Sequence, residues 1–176
     1  GSEQNVFRRY YDCAKKFKLK TIVRVTSDCP FIDPLILDAM IKEFQNQDID
    51  YLANTVPEET TKWPDGSDIE VFSMQALDRA NLIEKDSQEL EHVSFVFWKN
   101  KNNGFKTQQF DNEQDWSKYR ITVDYPEDYK LIIKVNSILN KLNLFGHLKE
   151  IIDKIENDKK LFNINSKYFF GIGWKN

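Results

Sequence analysis

Two stretches of this chain share one spelling, and that repetition constrains the fold more than any other feature. Arg24-Val25-Thr26-Ser27-Asp28-Cys29-Pro30 and Arg120-Ile121-Thr122-Val123-Asp124-Tyr125-Pro126 both read Arg-x-Thr-x-Asp-x-Pro. In each, β-branched residues suit an extended, pleated backbone. The proline beyond the acid then stops the ladder, because it has no N–H to donate. Side chains alternate across a strand, so the Arg, Thr and Asp of each copy fall on the same side. Open α/β sheets bind their ligands beyond the carboxyl ends of the strands, and both aspartates are expected at such ends. Taken singly, either Asp-x-Pro also reads as a capped turn whose carboxylate accepts backbone N–H groups. The repetition favours two acids converging on one site.

The rest of the chain supplies helices between short strands. Val6, Tyr10, Cys13 or Ala14, and Phe17 recur at helical spacing, so residues 5–18 are expected to form an amphipathic helix with a basic, solvated face. Residues 21–26 read as a strand; Asp33-Pro34 then gives an N-cap and a proline at the first helical position of a helix ending near Asn46. Residues 50–54 and 69–72 read as strands joined by a long loop over 55–67, and loops of that length usually serve function. Ser73 is expected to cap a helix through Ile83, and Ser87 another through Trp98. Asn102-Asn103-Gly104 reads as a turn between antiparallel strands near 105–110 and 118–123. Pro126 opens a long helix with the stripe Leu131, Ile132, Val135, Ile138, Leu139 and Leu142; a last helix near 146–157 presents Leu148, Ile151, Ile152 and Ile155. This order predicts a layered α/β domain with a mostly parallel sheet over residues 1–145 and a C-terminal helical extension over 146–176.

Composition excludes several classes. A chain of 176 residues with 40% hydrophobic and 14% aromatic content can build a core, which argues against disorder or a disulfide scaffold. A net charge of -3 argues against nucleic-acid binding as the main work. No run of about 18 apolar residues and no basic-then-apolar leader occurs, so the expectation is a cytoplasmic protein with no membrane partner. Cys13 and Cys29 form neither a CxxC nor a Cys/His cluster, and are expected as two buried thiols.

Two carboxylates at one sheet edge repel, and a divalent cation between them relieves the conflict. Hard oxygen ligands without His or Cys favour Mg²⁺, which takes one or two carboxylates and completes its shell with water and substrate phosphates. Asp28 and Asp124 are therefore expected to hold Mg²⁺ against a phosphate-bearing ligand, most simply a nucleotide. Arg24 and Arg120 read either as ion-pair residues or as phosphate clamps.

These motifs resemble a known family. The first copy with its continuation Phe31-Ile32-Asp33-Pro34, the run Asp65-Gly66-Ser67-Asp68-Ile69-Glu70-Val71-Phe72-Ser73, Glu91-His92-Val93, and Thr122-Val123-Asp124-Tyr125-Pro126-Glu127-Asp128 are similar to cytidylyltransferases of bacterial surface polysaccharides, closest to the spore-coat polysaccharide branch. The likeness implies a three-layer α/β/α nucleotide-diphospho-sugar transferase fold, and a sugar activated with CTP to a CMP-sugar and pyrophosphate. It implies Mg²⁺ on Asp28 and Asp124, and an acceptor pocket near Asp65, Gly66, Asp68 and Glu70. Asn54 at a strand end, His92 beside Glu91, and Arg120 complete the substrate-binding candidates. Residues 86–119 match the region through which family dimers pair, so a homodimer is a further expected partner. The family's opening Leu-x-x-Arg-x-Gly-Ser-x-Arg-x-x-x-Lys loop has no match here. About 60 or more residues, on the order of two βαβ units, are therefore expected upstream of Gly1, and the chain alone is expected to be inactive.

Two other readings compete. A GT-A-like glycosyltransferase would need an Asp-x-Asp at a strand end, whereas Asp48-Ile49-Asp50 precedes its strand. A non-catalytic remnant or assembly module would keep the acceptor half of the fold.

Overall fold

The computed structural model describes residues 1–144, 146–170 and 172; the last positions of the expected C-terminal extension, 173–176, lie outside the described residues. The elements follow in the order α1 (Val6–Lys16), β1 (Thr21–Arg24), α2 (Pro34–Gln45), β2 (Tyr51–Ala53), β3 (Glu70–Ser73), α3 (Met74–Asn81), α4 (Ser87–Glu91), α5 (Phe95–Trp98), β4 (Thr107–Gln109), α6 (Pro126–Leu142), α7 (Leu148–Glu156) and α8 (Lys159–Phe162). They divide into two compact units. One comprises residues 1–24, 40–53 and 70–108; the other comprises 25–39, 54–69 and 109–176. No described helix is long and apolar enough to cross a membrane.

Among the described residues, four strands form one mixed sheet in the order β1-β3-β2-β4. β1 and β2 are linked through α2 and run the same way. β3 lies between them and is antiparallel to both, with Arg24 and Ala53 each opposite Glu70. The connection explains the direction. A parallel return needs a crossover, which α2 provides between β1 and β2, whereas the 54–69 segment between β2 and β3 contains no helix. The expectation of mostly parallel ladders therefore missed the direction of β3, which the sequence had placed as a strand. β2 is buried throughout, and β3 is buried except at Ser73, with Tyr51, Leu52, Val71 and Phe72 all fully or nearly fully enclosed. Phe97 packs against Tyr51 and Phe72, at ring separations of 5.3 and 5.2 Å.

Several local expectations change. Of the expected α1 stripe, Ala14 is buried, Val6 and Tyr10 are half-buried and Phe17 is 64% exposed, while Phe7, outside the stripe, is buried. Cys13 sits one position before Ala14 on the outward arc and is exposed, so only Cys29 is a buried thiol. The helix expected from Ser87 to Trp98 is capped by Asp86 instead and breaks into α4 and α5 at Val93, which adopts φ 49. Residues 118–123 form no ladder; their one β contact is an isolated parallel bridge between Asp65 and Arg120.

In the second unit, α6, α7 and α8 pack on one apolar cluster. Leu131, Ile132, Val135 and Leu139 of α6 meet Leu148, Ile151, Ile152 and Ile155 of α7, with Trp63, Tyr119, Ile121 and Leu161 completing it. Full burial of such a side chain contributes about 1.5–3 kcal/mol, so this helical stripe dominates the unit's stability. Asp33 ties its loops to it. One carboxylate oxygen accepts from Leu35 N (2.9 Å) at the start of α2, and the other accepts from Leu148 N (2.8 Å) at the start of α7. Burial pushes the Asp33 carboxyl up, but those N–H groups and His147 outweigh it and hold it below the ordinary value.

Asp33→Ala should therefore lose two caps at once. We expect a loss of about 2–4 kcal/mol in urea unfolding near neutral pH, at roughly 1–2 kcal/mol per cap. A carboxyl depressed in the folded state stabilises above its unfolded value of about 3.9, and that gain disappears as pH falls through the lower folded value. The difference between wild type and variant should shrink across that acid window; a constant difference would show that the carboxylate charge is not what caps the helices.

Candidate active site

Arg120 organises the polar centre of the second unit. Its side chain is 5% exposed, yet it faces three carboxylates: Nη1 donates to Asp65 (2.5 Å), Nη2 to Asp124 (2.5 Å), and Nη2 and Nε to Asp128 (3.0 and 3.1 Å). Burial lowers the guanidinium's proton affinity, but the hydrogen bond and charge of Asp128, with Asp65 and Asp124, outweigh this and raise it. Asp128, 0% exposed, opens α6 as an acid in its first turn and accepts from the backbone N–H of Asp124 and Tyr125 (3.2 and 3.1 Å). Arg120 thus acts as an ion-pair hub.

The two copies of the repeated motif meet through the backbone. Val123 N donates to Asp28 O at 2.9 Å, and Thr122 Oγ1 donates to the same carbonyl at 3.2 Å. Asp28 is half-buried and Asp124 exposed, so both carboxylates can be reached from solvent. Cys29 is buried beside Asp28, with Sγ 3.5 Å from Asp68 Oδ2; burial, reinforced by the charge of Asp68, pushes its thiol up and keeps it protonated.

The 65–68 loop lies against the second copy of the motif. Asp65 N donates to Tyr119 O and Ile121 N to Asp65 O, at 3.1 and 2.7 Å. This close approach explains Gly66, which adopts φ +96; a Cβ there would stand 2.2 Å from Thr122 N and 2.5 Å from Ile121 C. Asp68 folds back on the loop, accepting from Gly66 N (3.0 Å) and Thr55 Oγ1 (2.7 Å). Burial and the charge of Asp68 push the Asp65 carboxyl up to about 7, with Arg120 pulling the other way. Asn54, fully buried, spans the loop's base: Nδ2 donates to Ser67 O (2.7 Å), and Oδ1 accepts from Ile69 N (2.8 Å).

Glu70 and His92 belong to the other unit, where they sit among different partners. Glu70 is buried, at 6% exposed. It accepts from Arg24 Nη1 (2.6 Å), Tyr51 Oη (2.8 Å) and Ser94 Oγ (2.5 Å). His92 ends α4, stacks on Phe95 at 4.4 Å, and has its basicity lowered by burial. The competing Asp-x-Asp is committed elsewhere, with Asp48 paired to Lys106 and Asp50 to Arg79.

Among the described residues no cluster of three or more His, Cys, Asp or Glu forms a protein-only metal cage. Two accessible carboxylates with hard oxygen donors fit a magnesium ion that completes its shell with water and phosphate oxygens. They do not fit a zinc or copper centre, which would draw on nitrogen or sulfur.

A family model described as Cytidylyltransferase matches residues 1–164. The chain belongs to the cytidylyltransferase family. It is 32% identical to a cytidylyltransferase of Leptospira borgpetersenii, whose solved structure agrees at a TM-score of 0.82 over 92% of this chain and 66% of that one. It is 31% identical over 137 residues to the spore coat polysaccharide biosynthesis protein SpsF of Bacillus subtilis, covering 75% of this chain and 53% of that protein. It is 27% identical over 168 residues to the uncharacterized protein MJ1063 of Methanocaldococcus jannaschii, covering 94% and 65%. The chain therefore spans less than two thirds of the length of either curated relative.

For a cytidylyltransferase, the informative additions are Asp128 and Asn165. Asp128 carried a signal, an acid in the first turn after Pro126; Asn165 carried none, since it reaches Asp128 and Arg120 from the far end of the chain. Arg120→Met should strand the buried Asp128 carboxylate and cost about 3–5 kcal/mol in chemical unfolding, and Arg120→Lys should recover little of it because one ammonium cannot span the fork. Equal stability of wild type and Arg120→Met would remove the hub from the account. Gly66→Ala should cost about 1–3 kcal/mol through the positive φ and the contact with the Ile121–Thr122 peptide. Mutating Gly104 provides the control: it also has positive φ, but nothing within 4 Å opposes a side chain there.

Proposed function

We propose that this protein is a nucleotidyltransferase that activates a sugar with CTP, forming a CMP-sugar and pyrophosphate for polysaccharide biosynthesis. The observation that carries the reading is the match of residues 1–164 to the cytidylyltransferase family. The stitched Asp28 and Asp124 turns and the similarity to a spore coat polysaccharide biosynthesis protein support it. In the reaction a sugar hydroxyl attacks the α-phosphorus in line; the new O–P bond forms as the bond to the β-phosphate oxygen breaks, and pyrophosphate leaves.

The chain's own residues would divide the work by charge and burial. Asp28 and Asp124 would hold Mg²⁺, which supplies positive charge against the phosphate oxygens, the main requirement of such transfers. Arg120, enclosed by carboxylates, orients Asp124 rather than gripping phosphate. Asp65 and Asp68, on a loop braced by Asn54 and Gly66, offer acceptor oxygens to sugar hydroxyls.

In the whole protein, Asp28→Asn and Asp124→Asn should each abolish CTP- and sugar-dependent pyrophosphate release while leaving circular dichroism and the unfolding midpoint near wild type. Undiminished Mg²⁺-dependent turnover in both variants would reject the assignment.

A further inference from the structure

Beyond residue 164, where the family match ends, the chain returns to the Asp124 turn. Asn165, 3% exposed, donates through Nδ2 to Asp128 Oδ1 (2.8 Å) and to Arg120 O (3.0 Å). Lys167 Nζ and Tyr168 Oη both donate to Glu127, at 2.6 and 2.9 Å, and these bonds hold the Glu127 carboxyl down at about 2. The Tyr168 ring stacks on Tyr125 at 4.1 Å and 8°, and the Arg120 guanidinium lies 5.6 and 5.7 Å from the two ring centres. Residues 165–168 therefore contact Arg120, Tyr125, Glu127 and Asp128, which flank Asp124 on both sides.

We propose that the 165–168 segment is a strap that fixes the Asp124 turn, with Asn165 a positioning residue acting through Asp128 and Arg120. The physical chain is short. Asp128 uses one oxygen for the backbone N–H groups of Asp124 and Tyr125, and it also holds the guanidinium that in turn holds the Asp124 carboxylate. Asn165 supplies a donor to the other oxygen. Without it, a fully buried carboxylate must compete for the Arg120 N–H groups, and the guanidinium shifts with it. Partners behind a metal ligand set its orientation, and their loss typically weakens metal binding or activity about 10–100-fold. The inference rests on the reading of Asp124 as a magnesium ligand, and its test separates the two.

Asn165→Ala removes both donor contacts, and Tyr168→Ala removes the stack from a half-buried position that should tolerate the change more easily. In each variant of the whole protein, Mn²⁺ affinity in the presence of CTP, followed by electron paramagnetic resonance of the free ion, should weaken about tenfold or more. The apparent constant for the metal should rise more than that for the sugar. Hydrogen exchange at Arg120 Nε–H, read by ¹⁵N NMR, should accelerate. Wild-type metal affinity and wild-type exchange in folded variants, whatever their melting temperature, would overturn the strap. Asp124→Asn is the control. If it leaves Mn²⁺ affinity unchanged, the metal reading fails, and exchange at Arg120 Nε–H alone decides the strap, acceleration supporting it and wild-type exchange overturning it.

Discussion

The buried pair of Arg120 and Asp128 is the constraint on which the second unit's polar architecture depends. A guanidinium and a carboxylate removed from water cost several kcal/mol each unless every donor and lone pair is met. Here they are met from four directions: the 65–68 loop, the Asp124 turn, the first turn of α6 and Asn165. Each of those segments is therefore held not by its own propensity but by its share in satisfying one ion pair.

This arrangement also sets the charge of the candidate site. Four aspartates, 28, 65, 68 and 124, are brought around the repeated motif's second copy and its neighbouring loop, against one guanidinium already engaged by Asp128. The balance stays negative, which is the state that favours a cation at the exposed end of the cluster. Burial separates the acids' roles. Asp128 is sealed and structural, whereas Asp124, with its side chain 41% exposed, remains open to an incoming ligand.

The repeated motif uses its arginine the same way twice. Arg24 of the first copy pairs with buried Glu70, which Tyr51 and Ser94 also satisfy, just as Arg120 of the second copy pairs with Asp128. The arginine of each copy therefore marks a buried carboxylate partner, 46 residues away in one case and 8 in the other. The strand-end aspartate, not the arginine, is left to face solvent.

Local chemistry was enough to read much of this protein from its sequence. The Asp33-Pro34 start of α2, the Ser73 cap of α3 and the apolar stripes of α6 and α7 all depend on spacing within one or two turns. The same pattern carried the family resemblance. Only the tertiary structure decided that β3 enters antiparallel between β1 and β2, that Cys13 faces outward, that Glu70 is enclosed and that Asn165 closes on Asp128. Those outcomes depend on which distant segment fills the remaining space and supplies the missing hydrogen bond. Hydrophobic periodicity records whether a residue is to be buried, but not against what.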